Sequence, residues 1–504
     1  MTTIAVSNAA QLSSALSAAK GGDTISLAAG NYGDFNLASK NFASDVTITS
    51  QSAGAPATFH SLNIKSSSHV VIDDVNVNFT PTATTVSFSP AVRIDGSQFV
   101  SFSHSTVTGG NAITGVAATA TSLDSSGNVI GMPTGYGVSV TNSSNVKMDH
   151  DNISHVTEGV VLNNVDHLTL TNSDIHDFRK SGVVGGGLNN VTVDNNHIHD
   201  SNPWNWGAGD HADYLAFWTN ASQTSASAGV VVTNNVMEQG KGTAVLGMWL
   251  QGGAAGFTNA TISNNAILDG NNQGIVLSQV ANSTVDHNTL LQTSGDAKAA
   301  PSIILGSGTT DVTVHDNIAG GVTDSSKSAG ALANTLSNNQ ITQTTNSTAA
   351  GYYDASLIGK VLAAAPTDSF QAVAKAGING GIGDLLKAVS STASTLTASN
   401  AAHIIVGGGG NDLLIAGPGN DAFTGGLGAD TFRIGYKTGH DVISDFGKGG
   451  HDVLDVSAFL KAGLKAMIHD VGGDVTIGFS SGETITLTGV HASDLIATSS
   501  GFTI

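Results

Sequence analysis

Apolar and polar positions alternate in short runs along most of the chain, and the runs recur. NVKMDHDNIS begins at Asn145, HLTLTNSDIH at His167 and NVTVDNNHIH at Asn190, so one pattern returns every 22 to 23 residues. In each copy a β-branched stretch puts apolar side chains on one face, an Asn/Asp/His corner follows, and a second strand such as GVVL from Gly159 or GVV from Gly182 comes next. A unit this short cannot bury its apolar face alone. The units must stack, and stacked strands of this kind predict an all-β chain built on a right-handed parallel β-helix. Further units start at Asp45, His69, Phe99, Gly229, Asn259, Asn282 and Asp311. Two steps carry extra loops, one around residues 117–133 and one holding residues 202–210, and long loops on a rigid scaffold are where function concentrates. Residues 8–19 show helical apolar spacing ended by Gly21 and Gly22, which predicts a helix capping the open end of the coil.

Beyond about Gly320 the pattern fades. Residues 336–400 read as a connector with helical patches at 357–365 and 381–389. Three contiguous nonapeptides then follow: GGGGNDLLI from Gly407, AGPGNDAFT from Ala416 and GGLGADTFR from Gly425. Gly408, Gly410, Gly417, Gly419, Gly426 and Gly428 permit tight turns, and Asp412, Asp421 and Asp430 supply hard oxygen ligands along with backbone carbonyls. Leu414, Phe423 and Phe432 fill a small core. A flexible Gly-rich linker would not keep Asp and an apolar residue in phase three times, so the spacing points to Ca2+. These repeats resemble the RTX, or haemolysin-type calcium-binding, family over about the last hundred residues. That resemblance implies a smaller parallel β-roll, export by type I secretion machinery reading an uncleaved C-terminal signal, and a secreted, extracellular location. The expected organisation is a β-helix catalytic domain with its cap at 1–335, the connector at 336–400, and the roll with its secretion signal at 401–504.

Composition narrows the partners. Of 504 residues only 11% are charged and 5% aromatic while Gly reaches 62, which suits a solenoid with small turns. A net charge of -20 argues against nucleic acid. Absence of Cys excludes disulfides and thiol chemistry. No basic-then-apolar N-terminal segment or apolar run of membrane-spanning length is present, so no membrane insertion is expected, and the chain reads as a monomer.

Stacking the units places residues of successive coils about 4.8 Å apart. One column holds Ser154, His176 and His199, the next His155, Asp177, Asp200, Glu238 and Asp269; Glu158, Ser181 and Asp213 share a third, with Arg179, Lys180, Asp210 and His211 just before it. Solenoid corners are commonly lined by Asn, Asp and His that satisfy backbone groups, so His150, His197, Asp194 and Asn195 read as structural, and for His176 and His199 the two readings balance. Trp204 and Trp206, in a polar loop, read as stacking surfaces for sugar rings, together with His176 and His199 as substrate contacts; Trp218 and Trp249 read as packing. Arg occurs only three times in the chain, and Arg179 with Lys180, Asp177, Asp210, His211, Asp213, Tyr214 and Glu158 exceeds what a ladder needs.

The coils resemble the secreted pectate-lyase-like superfamily of polysaccharide lyases, hydrolases and mannuronan C5-epimerases, and their combination with RTX repeats is similar to modular alginate epimerases and lyases and type I-exported exopolysaccharide glycanases. Asp210 and His211 are adjacent, so the Asp-Pro-His motif of the epimerases is not reproduced. The resemblance implies a polysaccharide substrate, and the expectation is a secreted depolymerase of an acidic exopolysaccharide or alginate-like polyuronate. β-Elimination leads: Arg179 would neutralise the uronate carboxylate, His211 or Lys180 would remove the C5 proton and Tyr214 would protonate the leaving oxygen. Hydrolysis by two of Asp210, Asp213, Glu158 and Asp177, C5 epimerisation, and a non-enzymatic carbohydrate-binding surface are the alternatives.

Overall fold

The computed structural model describes residues 2–109, 122–127, 129–130, 135–201, 212–219, 223, 225–239, 242–292, 300–326, 332–341, 395–397, 404–409, 411–417, 421–436, 438–443, 445–447, 450–471 and 474–504. The chain divides into two units, one spanning 1–347 except 264–266 and 287–289, the other built mainly from 348–504.

The first unit is a parallel β-helix whose described strands form, apart from one short antiparallel pair, a 24-stranded and an 11-stranded sheet. Its register shows why the sequence coils. Ile4, Ile25, Ile48, Ile72, Phe102, Met148, Leu170, Val193, Val232, Ile262, Val285 and Val314 pair in succession, each directly above the last. All but Ile4 are buried. Each such side chain contributes roughly 1.5–3 kcal/mol by leaving water, and no single coil could supply the neighbours.

The corners explain the Asn, Asp and His that punctuate the repeats. His69, Phe99, Asn145, His167, Asn190, Asn259, Asn282 and Asp311, each opening a repeat, have left-handed φ between 47° and 59°, and so do His150, Asn172 and Asn195 at the next corner. Asn, Asp and His tolerate that region better than other side chains do. A polar ladder runs inside one corner: Ser105 N–H donates to Asp151 Oδ1, Asp151 N–H to Ser173 Oγ, Ser173 N–H to Asn196 Oδ1 and Asn196 N–H to Asn235 Oδ1, at 3.0–3.1 Å. Each coil thereby satisfies backbone donors that the bend removes from the sheet.

A helix at Ala9–Ala18, capped by Asn8 Oδ1 accepting from Gln11 N–H at 2.9 Å, buries Leu12, Ala15 and Leu16 in the same core as Ile25. The last parallel strands of the unit are Thr335–Ser337 and Gln340–Ile341. The helical patches expected at 357–365 and 381–389 lie outside the described residues.

In the second unit the nonapeptides alternate between two sheets. Leu413–Ile415 pairs in parallel with Thr431–Arg433, and Ile404–Gly409 with Ala422–Leu427, so two repeats make one turn of a β-roll. Leu414, Phe423 and Phe432 pack in its core with Ile443 and Leu454, and antiparallel strands at Met467–Val471, Asp474–Gly478 and Thr484–Leu487 follow.

Candidate active site

Four successive coils of the 24-stranded sheet build an outward-facing groove of about 220 Å³. Register supplies its parts. Glu158, Ser181 and Asp213 lie directly above one another, and so do Val161, Val184, Ala216 and Trp249. The second column is an apolar cluster on the outside of the coil, joined by Tyr136. Trp218 and Gln251 flank it on the next outward position. Glu158 and Asp213 are 7% and 2% exposed, although both line the groove. Lys180 Nζ stands 3.6 Å from Glu158 Oε1. Burial, and then the negative charge of Glu158, holds the Tyr136 hydroxyl well above its ordinary value, so it stays protonated.

Of the residues singled out from the sequence, Glu158, Lys180 and Asp213 come together here. Tyr214 does not. Its side chain is fully buried, and its hydroxyl donates to Asp269 Oδ2 at 2.5 Å inside the coil, edge-on to Phe178 at 6.3 Å. The expectation that Tyr214 protonates a leaving group is therefore corrected: it is turned into the core. Arg179 is 1% exposed, and burial lowers its pKa to about 10, so it does not present a guanidinium on the open groove. Asp210, His211, Trp204 and Trp206 lie outside the described residues. Sequence reasoning missed Trp218 and Trp249 as groove residues and Tyr136 as a member of the adjoining outward cluster. The signal was present in GVVL, GVVG and LAFW, where an extra apolar residue occupies the outward position that alternation reserves for a polar one.

Asp177, His176 and His199 sit elsewhere, on the 11-stranded sheet, where Asp174–His176, His197–His199 and Val236–Glu238 are successive rungs. His176 Nδ1 pairs with Asp177 Oδ2 at 2.7 Å. His199 is held by carboxylates at both ring nitrogens, Nε2 by Asp174 Oδ1 at 2.9 Å and Nδ1 by Asp200 Oδ2 at 3.1 Å. Burial alone would lower its pKa, but these two hydrogen bonds outweigh that and lift it to about 9. The same bond to His199 overcomes burial at Asp174 and lowers that carboxyl. Asp177 and the two histidines therefore form a centre distinct from the groove residues.

In the β-roll, Asp412, Asp421 and Asp430 are at most 2% exposed. Asp430 Oδ1 accepts from Asp412 N–H at 2.8 Å and Asp441 Oδ1 from Asp421 N–H at 2.9 Å. The second oxygens of Asp430 and Asp441 are buried without a hydrogen bond among the described residues. Burial, then repulsion from neighbouring aspartates, pushes Asp430 up to about 6 and Asp441 to about 7. Buried oxygens with no donor, crowded by like charges, fit a hard cation.

The glycines of the repeats divide by position. Gly408 and Gly426 are partners in parallel register within Ile404–Gly409 and Ala422–Leu427, so the tight turn expected at each is corrected to strand. Strand pairing spends their backbone groups on the sheet ladder as the roll turns. Gly417 N–H donates to Asp421 Oδ2 at 3.1 Å, so this glycine meets the aspartate with its amide and orients that carboxylate. Gly428 has a φ of 130°, and here the expected turn chemistry holds, since a side chain would strain that backbone. Gly410 and Gly419 lie outside the described residues.

Residues 136–319 match the family model of the right handed beta helix region, and residues 404–432 that of the RTX calcium-binding nonapeptide repeat. The fold is a right-handed parallel β-helix. The C-terminal repeats are calcium-binding nonapeptides of the RTX kind. Among solved structures, the chain is similar to the A-module of mannuronan C-5 epimerase AlgE4 from Azotobacter vinelandii, at 12% identity, over 67% of this chain and 95% of that one, with a TM-score of 0.46. It is also similar to a PL6 family polysaccharide lyase from Pseudopedobacter saltans, at 13% identity over 70% and 93%, TM-score 0.45. The Dettilon tailspike protein gives 13% identity over 65% and 64%, TM-score 0.46. No curated protein matches the chain. No helix of the described residues is long and apolar enough to cross a membrane.

Proposed function

We propose that the protein cleaves a polysaccharide in the outward groove, with Glu158 and Asp213 as the acid–base pair of a hydrolysis and with Trp218 and Trp249 as the surface on which sugar rings stack. The observation that carries this reading is the pair of nearly buried carboxylates, two rungs apart in one column, beside an apolar floor that ends in tryptophan. Adjacent rungs are about 4.8 Å apart, so the strands bearing the two carboxylates stand roughly 9–10 Å apart. That span suits the ~6.5–9.5 Å of inverting glycosidases, which must admit a water between the carboxyl groups, better than the ~5 Å of retaining ones. One carboxyl gives its proton to the leaving glycosidic oxygen while the other takes a proton from water attacking the opposite face of the sugar. Ser181, between them in the column, offers a hydroxyl to the sugar, and Lys180 orients Glu158.

The groove moves the balance away from the elimination favoured by the sequence. Arg179 and Tyr214, the groups assigned there to the uronate carboxylate and to the leaving oxygen, are both buried. Elimination remains the second reading because Lys180, one of the two residues assigned to the C5 proton from the sequence, lines the groove. Either chemistry suits an acidic exopolysaccharide or alginate-like polyuronate, with calcium folding the RTX module after type I export to the extracellular space.

Incubation with alginate, pectate and acidic bacterial exopolysaccharides, following reducing ends and the absorbance of unsaturated uronates together, tests this. Reducing ends alone, with inversion at the anomeric carbon and loss of activity in Asp213→Asn and Glu158→Gln, are expected. Unsaturated product that disappears in Lys180→Met would replace hydrolysis by elimination. Altered uronate composition without cleavage would indicate epimerisation, and sugar binding without any product would make the groove a binding surface.

A further inference from the structure

We propose that Asp174, His197 and His199 form a binding site for a divalent transition-metal ion of the zinc class, separate from the calcium of the RTX repeats. One ligand atom from each lies within 4.8 Å of the others. Asp174 Oδ1 is the centre of the group, 2.9 Å from His199 Nε2 and 3.6 Å from His197 Nδ1. Ligands at about 2.0–2.1 Å around a tetrahedral zinc are roughly 3.3 Å apart, so the two observed separations bracket what such an ion requires.

The outer contacts of both rings have the form that metal-binding histidines take. His197 Nε2 meets Glu238 Oε1 at 2.8 Å, and His199 Nδ1 meets Asp200 Oδ2 at 3.1 Å. A carboxylate on the far nitrogen fixes the tautomer that leaves the near nitrogen's lone pair facing inward, and it increases that nitrogen's basicity. The two rings are themselves stacked, 3.9 Å between centroids at 18°, and their inward nitrogens lie within 4.8 Å of each other.

A plain histidine ladder accounts for only half of this. An imidazolium at His199 bridging Asp174 and Asp200 would satisfy that ring. It leaves His197 Nδ1, which is buried and has no hydrogen-bond partner among the described residues, although the residue is only 9% exposed and faces Asp174. Buried polar atoms are rarely left so, and an ion bound by all three residues removes the anomaly. Two imidazole nitrogens exclude calcium as the preferred occupant, since calcium selects oxygen, whereas zinc accepts nitrogen and carboxylate together. The four carboxylates Asp174, Asp177, Asp200 and Glu238 gathered around the rings favour a dication. His176 does not complete the set, because its Nε2 faces Asn152 Nδ2 at 3.2 Å and its Nδ1 faces Asp177. The remaining position is left for water or another small ligand. Because the three ligands come from two successive rungs, the ion would tie those coils together.

The test uses untagged full-length protein, stripped of metal with chelator, returned to excess calcium so that the RTX sites are filled, and titrated with zinc chloride by calorimetry. One zinc per chain is expected, with a rise in Tm, and cobalt chloride in its place should give the visible absorption of a four-coordinate ion. His197→Ala and Asp174→Asn should each weaken zinc by at least about 100-fold, and Glu238→Gln by about 10–100-fold, while calcium binding stays unchanged. No zinc uptake in the presence of calcium, or uptake indifferent to these substitutions, overturns the proposal. If His197→Ala does not fold, Glu238→Gln, which retains both rings, decides the matter.

Discussion

Removing calcium should unfold the β-roll at alkaline pH and spare it at acid pH, because of Asp430 and Asp441. In the folded state their pKa values are about 6 and about 7, raised above the ordinary 3.8 by burial and by neighbouring aspartates. A carboxyl raised in this way favours the folded state fully only below its unfolded value, and that advantage is lost as pH rises through the folded one. Between pH 4 and pH 8 the loss is roughly 3 kcal/mol for Asp430 and roughly 4 kcal/mol for Asp441, at about 1.4 kcal/mol per tenfold change in proton affinity. Together they approach the whole stability of a typical domain, about 5–15 kcal/mol. A cation between the carboxylates offsets the repulsion and restores the fold. The assay is hydrogen exchange of full-length protein, read on peptides from 404–504 at pH 5 and pH 8 after correction for the intrinsic rate, with calcium or with chelator. Protection with chelator should be high at pH 5 and lost at pH 8, and calcium should restore it. Asp430→Asn, which keeps the oxygen that accepts from Asp412 N–H, should be better protected than the parent with chelator at pH 8 and respond less to calcium. Equal protection at both pH values in chelator would refute the reasoning.

Three further outcomes follow from buried contacts in the β-helix. Asn196→Ala removes donors to Leu170 C=O, Asp194 C=O and Asn235 Oδ1 and the acceptor of Ser173 N–H; at about 1–3 kcal/mol for each abandoned buried group, urea unfolding should show a loss of at least about 3 kcal/mol. Tyr214→Phe leaves Asp269 without its hydroxyl donor and should cost about 1.5–3 kcal/mol at pH 7, yet leave kcat/KM on the cleaved polysaccharide within about twofold; a large loss of turnover would return Tyr214 to the reaction. Gly159→Ala would put a methyl 2.4 Å from Gly182 O and 2.5 Å from Ile175 Cγ2, so thermal unfolding should register about 1–3 kcal/mol of strain, and activity should fall with it as Glu158 is displaced.

Fold and calcium module were legible because both are written in periods. The 22-to-23-residue return of alternating strands requires one coil per return, and the corner residues mark where φ turns positive, so Asn145, His167 and Asn190 announce the same bend three times. The nonapeptide phase does the same for the roll, although it does not say which glycine turns and which, like Gly408 and Gly426, lies in a strand. The site was legible only in part. The sequence does place Glu158, Ser181 and Asp213 in one column, and the structure keeps them there. Which way a side chain points at that column is a different matter, since it depends on a break in alternation that pattern reading assumes away. Trp249 was assigned to packing for the same reason. Its partner in register, Ala216, belongs to the outward row rather than the inward one.

That break in alternation also determines the groove. A methyl built on Gly159 would strike Ile175 in the core, and Val160 beside it is core as well, so two consecutive positions face inward. Strict alternation from Val160 would have sent Glu158 inside; the irregularity sends it out to the groove instead. The same holds one coil before, where Gly137 faces Ile153 and Tyr136 turns outward, and one coil after, where Gly182 faces Ile198 and Ser181 turns outward. Tyr214 continues this inward column of glycines at the next rung, next to Asp213 in the outward one. Its burial is thus a consequence of register, not an accident of packing, and the ring fills the core at a level where its neighbours contribute no side chain. The column that holds glycine on three coils and tyrosine on the fourth is what holds Glu158 and Asp213 to the outside. A methyl on one of its glycines should therefore disturb activity without touching any groove residue, whereas Tyr214→Phe, which keeps the ring in place, should not; carboxylates oriented by their own contacts alone would be indifferent to both.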